Sequence, residues 1–374
     1  MKRIALLFEN YGPYHMARLA ALEKLYSGTD FEVIPMEIGR FQKKYAWEVG
    51  TEEIPQNLVS VIEDDSIEES SFLKVISKLF SKLNDINPDT IAIAGYAELP
   101  MLASLLWATL FRKHTILMSA SKADDSKRIF ITELIKKAIL RLFRTALVGG
   151  QPQKRYLLAL GKSAESIFTG YNVVGNDNFH PKVLSKFSSP IEQPFFLTIN
   201  RFIAKKNLHT LIDAYAKYRQ ICRHCPYELV LSGDGELYHA LEKQVESLNL
   251  KSVVHFTGFL QQKELLPYLA HASCFIHASA QEQWGLVVNE AMAAGLPVIV
   301  SNRCGCFEDL VIEGVNGFGF DPNSQDQLTD IMLKVSSSDV DLDEMGEAAL
   351  SHIQQFSPAR FAQGFNEALE YMNI

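Results

Sequence analysis

Two carboxylates, Glu282 and Glu290, are separated by seven residues in the stretch QEQWGLVVNEAMAAGLPVIVS, residues 281–301. Trp284-Gly285-Leu286 reads as a turn and Val287–Ala294 as a short helix. Gly295-Leu296-Pro297 stops that helix and leads into an apolar strand-like run, Pro297 to Val300. On this reading Glu282 lies in the loop just before the helix and Glu290 one turn inside it. Amides in a first helical turn have no acceptor within the helix, so they point at whatever sits in the loop, and they suit a phosphate. Two acceptor carboxylates flanking such a seat suit a polyhydroxylated ligand joined to phosphate.

Other residues of chemical interest sit where strand-like runs end. Arg201 and Lys206, in INRFIAKKN, follow the run Phe195–Ile199 and form a cationic pair able to neutralise a diphosphate leaving group. Ser232-Gly233-Asp234-Gly235-Glu236 follows Glu228–Ser232, and its glycines permit close backbone approach. Thr257-Gly258-Phe259 follows Val253–Phe256, where Gly258 and Phe259 either line a base pocket or make a turn. Nearer the N-terminus, His15 in ENYGPYH is placed to contact an acceptor hydroxyl or to cap a helix. Glu98 in Gly95-Tyr96-Ala97-Glu98 is a base, an acceptor ligand or a helix N-terminal carboxylate. Asp124-Asp125 reads as a solvated pair in a polar loop rather than a metal site.

The elements that must position these residues alternate. Apolar runs at Arg3–Phe8, Phe31–Met36, Leu58–Ile62, Thr90–Ala94, His114–Ser119 and Thr145–Gly149 are separated by amphipathic helical stretches. That rhythm predicts β/α units on a parallel sheet, whose ligands gather beyond the carboxyl ends of the strands. Residues 175–194, rich in Asn, Ser and Pro, break the rhythm and read as a linker. The pattern then restarts at Phe195–Ile199, with Asn207 as a cap for a helix burying Leu208, Leu211, Ile212 and Tyr215. Further strands are expected at Ser273–Ala278 and Pro297–Ser301.

The E-x7-E element followed by A-M-A-x-G-x-P-V-I resembles the retaining family 4 glycosyltransferases (glycosyl transferases group 1), strongly from Phe195 to Asp321 and as a pattern before Gly175. The resemblance implies the GT-B fold, an α/β architecture of two Rossmann-like domains facing each other across a cleft. Residues 1–174 would bind the acceptor and residues 195–356 the nucleotide-sugar donor. The helix over 357–374 would pack back onto the first domain. By the same resemblance Arg201 and Lys206 bind the nucleotide diphosphate, Glu282 contacts the donor sugar, and Glu290 binds the ribose hydroxyls. Amides around Gly285, Leu286 and Val287 hold the phosphates, and Gly258-Phe259 lies near the base; Gly233 is counted with these donor-binding residues on the close backbone approach that its own turn permits. The activity implied is transfer, with anomeric retention, from a UDP- or GDP-sugar to a saccharide, lipid or small molecule. It implies no cofactor beyond the nucleotide-sugar co-substrate and no metal. Two departures fall on the acceptor side. Many members carry Gly-Gly after the first strand, where this chain has only Gly12, and a histidine after the fourth, where it has Gly95-Tyr96-Ala97-Glu98. A nucleotide-sugar 2-epimerase and a catalytically silent nucleotide-sugar-binding partner are the alternatives.

Composition bounds the rest. At 374 residues, 47% hydrophobic and 21% charged, the chain is an ordinary globular sequence of two to three domains. Its formal charge of −8 argues against a nucleic-acid partner. No apolar run reaches the roughly 18–20 residues of a membrane span; Leu99–Phe111 reads as a buried helix and Ile4–Phe8 as a first strand rather than a signal core. Five cysteines, Cys222, Cys225, Cys274, Cys304 and Cys306, read as unpaired thiols in a reducing cytoplasm, since their spacing completes no common zinc module. Residues 131–146 carry an apolar stripe of Ile131, Leu134, Ile135, Ala138, Ile139, Leu142, Phe143 and Ala146, with Lys136, Lys137, Arg141 and Arg144 on the other faces after Lys127-Arg128. We read it as a helix docked on the core with a solvated basic face; the alternative is peripheral contact with an anionic membrane or acceptor.

Overall fold

The computed structural model describes residues 1–41, 54–66, 69–125, 128–223 and 226–374. They fall into two compact units, Met1–Val174 with Ser357–Ile374, and Gly175–Phe356. The first runs β1 (Lys2–Phe8), α1 (Pro13–Tyr26), β2 (Phe31–Phe41), β3 (Val59–Ser66), α2 (Phe72–Ile86), β4 (Thr90–Ala94), α3 (Leu99–Leu110), β5 (His114–Ser119), α4 (Phe130–Leu140), β6 (Thr145–Val148), α5 (Gln151–Ala159) and β7 (Ile167–Thr169). The second runs α6 (Pro181–Leu184), β8 (Phe195–Ile199), α7 (Leu208–Ile221), β9 (Glu228–Ser232), α8 (Tyr238–Ser247), β10 (Val254–Gly258), α9 (Gln262–His271), β11 (Cys274–His277), α10 (Leu286–Ala293), β12 (Val298–Ser301), α11 (Phe307–Leu310), β13 (Gly317–Phe320), α12 (Gln325–Val335) and α13 (Leu342–Ile353). The last helix, α14 (Pro358–Tyr371), returns to the first unit.

Each unit is built on one parallel sheet, ordered β3-β2-β1-β4-β5-β6-β7 in the first and β10-β9-β8-β11-β12-β13 in the second. Strands with both faces covered must be apolar throughout, and Ile4–Phe8 shows why. Ala5 and Leu7 enter one core with α2 and α3, whereas Ile4, Leu6 and Phe8 enter another with α1 and α14. On α14, Phe361, Phe365, Ala368 and Leu369 recur at helical spacing and are all buried in that second core. Gly364 lets this helix close on β7, because a Cβ there would stand 2.3 Å from the Thr169 carbonyl oxygen.

Several expectations need correcting. The helix read over 131–146 ends at Leu140, and Ala146 belongs to β6. Its stripe docks only at its C-terminal end, where Ile139 packs against the core and Phe143 and Ala146 are buried; Ile131, Leu134 and Ile135 are 67%, 48% and 55% exposed. Periodicity marks a face that avoids water without saying what covers it. Likewise α3 buries Met101, Leu105, Trp107 and Ala108 but exposes Leu99, Leu106 and Leu110. Residues 175–194 lie inside the second unit, where Phe179 and Leu184 are buried and Asn176 donates from Nδ2 to the Ile353 carbonyl at 3.0 Å. Asn207 does precede α7, but in the left-handed region with no capping bond; its side chain donates to the Pro322 carbonyl and accepts from Thr210 instead. Asp124 and Asp125 are paired, with Lys122 and with Arg128 (2.7 Å), rather than simply solvated. Cys225 and Lys127 lie outside the described residues.

If Gly364 sets the α14–β7 approach, Gly364→Ala overpacks that contact and costs about 1–3 kcal/mol in urea unfolding; an unchanged midpoint would show that the helix can shift freely.

Candidate functional site

In the second sheet the strand order reverses between β8 and β11. From β8 the chain proceeds to β9 and β10 on one side, and from β11 to β12 and β13 on the other. The loops beyond β8 and β11 therefore diverge and leave a crevice at the carboxyl ends of the strands, the place where such sheets take ligands. The loop after β8 holds Arg201 and Lys206, and the loop after β11 holds Glu282. The two loops meet there. The Lys206 ammonium pairs with Glu282 Oε2, both side chains being 13% exposed, and Ala280 N–H donates to the Lys205 carbonyl at 2.9 Å.

Behind this pair stands a residue that sequence reading did not find. His277, the last residue of β11, is fully buried, with Nε2 3.7 Å from Glu282 Oε2 and 3.3 Å from Ser279 Oγ. Its Nδ1 has no hydrogen-bond partner. We therefore assign the proton to Nε2, which faces both Ser279 Oγ and Glu282 Oε2, and the Ser279 hydroxyl donates onward to Glu282 Oε2 at 3.5 Å. Burial lowers the His277 pKa against the pull of Glu282, so the imidazole is neutral near pH 7. The available signal was a polar residue in the apolar run SCFIHAS five positions before Glu282, but within such a run it reads as core.

Burial alone would raise the Glu282 pKa; the His277 imidazole and the Lys206 charge outweigh it and hold the carboxyl well below the usual range. Glu282 is thus a fixed carboxylate, an acceptor of hydrogen bonds and never a proton donor at neutral pH. Among the described residues its side-chain hydrogen bonds and ion pairs run through Oε2, which leaves Oε1 to accept from a ligand. Its backbone is also pinned, pairing with Cys304 and accepting from Gly305 N–H at 3.1 Å.

The remaining candidates take distinct places. Gly285 caps α10 at φ 106, a left-handed conformation that favours glycine, and a Cβ there would meet His277 Nε2 at 3.2 Å. It thereby turns the chain so that the first-turn amides, at Leu286 and Val287, open α10. Trp284 is buried and ties the turn to α10 by donating from Nε1 to Asn289 Oδ1 at 2.9 Å. Glu290 is buried one turn into α10. Arg201 is exposed, and Phe259, 47% exposed, lies beside Gly258 at the end of β10. Gly233 packs closely against its neighbouring loop. A Cβ on it would fall 1.7 Å from the Asn200 carbonyl oxygen, so its lack of a side chain admits the chain just before Arg201.

In the first unit the strand order reverses at β1 and β4, and His15 follows β1. Its Nδ1 accepts from Gly12 N–H at 3.1 Å and its ring lies 4.1 Å from that of Phe8. Burial, then the Arg18 charge, lowers its pKa and keeps it neutral. Of the two roles foreseen, the capping one is the one these contacts describe. Glu98 is exposed at the start of α3 and makes no side-chain cap. Among the described residues no group of three His, Cys, Asp or Glu is placed to hold a metal, and no helix is long and apolar enough to cross a membrane.

Residues 182–352 match the family model described as glycosyl transferases group 1. Over 137 residues the chain is 33% identical to the lipopolysaccharide core biosynthesis glycosyltransferase LpsE of Rhizobium meliloti, covering 37% of this chain and 38% of the relative. It is 27% identical over 261 residues to the amylovoran biosynthesis glycosyltransferase AmsK of Erwinia amylovora, covering 67% of this chain and 60% of the relative. The chain thus spans less than two thirds of the length of these curated relatives. Anabaena HepE, solved with UDP and glucose, matches at a TM-score of 0.77 and 19% identity over 99% of this chain and 100% of its own. That likeness shows the fold, two parallel α/β units of the GT-B type.

A folded-state pKa held below the unfolded value of about 4.3 stabilises the protein above that pH and ceases to as pH falls through it and below. Urea midpoints measured from about pH 6 down to about pH 3 should therefore fall more steeply for the wild type than for Glu282→Gln. Parallel curves would contradict the fixed carboxylate.

Proposed function

We infer that this chain, whose residues 182–352 match the glycosyl transferases group 1 model, is an enzyme of that family that transfers a sugar from a nucleotide-diphosphate sugar to a saccharide, lipid or small-molecule acceptor, with retention at the anomeric carbon. The observation that carries the reading is the Lys206–Glu282 pair at the strand-order reversal, beside the N-terminus of α10. It places a cation and amides suited to a diphosphate next to a carboxylate suited to sugar hydroxyls. The relatives act in lipopolysaccharide and amylovoran biosynthesis, and HepE is seen with UDP and glucose, which favours a UDP-sugar donor and a saccharide-bearing acceptor.

The proposed chemistry follows from the charges. An acceptor hydroxyl bonds to the anomeric carbon as the bond to the diphosphate oxygen breaks. The electron pair leaves with the diphosphate, and the hydroxyl proton passes to that departing oxygen. Arg201, Lys206 and the amides of Leu286 and Val287 take up the charge that develops on the diphosphate. Glu282, permanently ionised, donates no proton; its Oε1 accepts from a sugar hydroxyl and orients the ring. Glu290 is proposed to hold the ribose and Gly258-Phe259 to flank the base.

Thermal unfolding in UDP-, GDP-, ADP- and dTDP-sugars tests the donor. A ligand at about 100 times its Kd adds about 2.7 kcal/mol of stability, and we expect this from UDP-sugars, lost in Arg201→Ala. No shift with any nucleotide sugar would remove the donor site. With an acceptor in hand, Lys206→Ala should lower kcat by about 10²–10³-fold.

A further inference from the structure

The first unit carries a surface that the proposed chemistry does not use. Between the C-terminal ends of α3 and α4 lies a cavity of about 1000 Å³. Its walls include Arg112, Lys113, Lys137, Arg141, Arg144 and Lys162, and no carboxylate. It opens at the end of the unit where β5 begins, with His114 on its wall, away from the strand ends that take ligands in such sheets. In a chain of net charge −8 this concentration of cations is local, not background. Burial, then the neighbouring Arg144 charge, pulls Lys162 down to about 8.

The same two helices turn apolar faces outward. Ile131, Leu134 and Ile135 on α4, preceded by exposed Ile129 and Phe130, run up one helix, and Leu106, Leu110 and Phe111 edge the other. Glu133, the one acid on α4, is neutralised by Lys136 at 2.9 Å and Arg128 at 3.5 Å. An exposed apolar stripe flanked by Lys and Arg is the composition of a helix that lies in a bilayer interface, with apolar side chains at the acyl boundary and cations among the phosphates. A second copy of the chain would bring the cation-rich patch against itself across a two-fold axis, which like charges oppose. We propose that the outer faces of α3 and α4 and the basic cavity between them dock the protein on an anionic lipid bilayer, lipid phosphates occupying the cavity and Ile131, Leu134 and Ile135 entering the interface. The surface is separate from the donor residues, so it stands or falls independently of the proposed transfer.

Co-sedimentation of the full chain with vesicles tests this. We expect binding to phosphatidylcholine vesicles containing roughly 30% phosphatidylglycerol, weakening as salt rises above about 0.1 M, and little binding to phosphatidylcholine alone. Ile131→Ser/Ile135→Ser and Arg112→Glu/Arg141→Glu change exposed side chains and should keep the wild-type unfolding midpoint and any donor-induced shift. Each should weaken vesicle binding by at least about tenfold. The proposal is overturned by no binding to the anionic vesicles, by equal binding to both vesicle types, by affinities that both variants leave unchanged, or by a lipid-free dimer that both variants dissolve.

Discussion

Everything in the second unit turns on one ion pair. Two parallel strands that are neighbours in space but far apart in sequence, β8 and β11, send their following loops in opposite directions, and Lys206 closes on Glu282 across the gap. Two largely desolvated charges are costly to hold, and an apolar pair of similar volume would often be at least as stable. What repays the cost is direction. Lys206, Ser279 and His277 all converge on one carboxylate oxygen, so the other has a fixed aim. Buried His277 supports the pair from below and Gly285, in a conformation that suits glycine, brings the start of α10 over it.

The chemistry proposed for the site is a consequence of that arrangement. A carboxyl held ionised by a cation and a buried imidazole is a poor proton donor, which points Glu282 to orientation rather than acid catalysis. In the proposed transfer, cations and helix amides beside it would stabilise the charge that develops on a leaving diphosphate. Removing either member of the pair leaves a partly buried charge uncompensated, so the pair should behave as a unit.

Much of this was legible in the sequence, for identifiable reasons. β4, β5, β8 and β9 have the boundaries that their unbroken apolar runs indicate, because a strand covered on both faces must be apolar throughout. Glu282, Lys206 and Gly285 could be placed because strand ends in parallel sheets are where ligands collect. β7 and β13 were missed; IFT is three residues long and GFGF is broken by glycines that allow β13 to approach β12. His277 was missed because an apolar run hides a buried polar residue. The N-terminal half of the α4 stripe was misjudged, whereas Ile139, Phe143 and Ala146 do meet the core, because helical periodicity is the same whether or not a core covers the apolar face. The packing of Gly233 against Asn200 was not legible, because a glycine-rich turn does not say which backbone it admits.

The central claim is that Lys206 and Glu282 act together on the donor. Calorimetric titration of a UDP-sugar into wild type, Lys206→Met, Glu282→Gln and the double variant measures it directly. Coupled action predicts that each single change weakens binding and that the double variant loses less than the sum, by about 0.5–3 kcal/mol. Strictly additive losses, or binding that neither change affects, would contradict it.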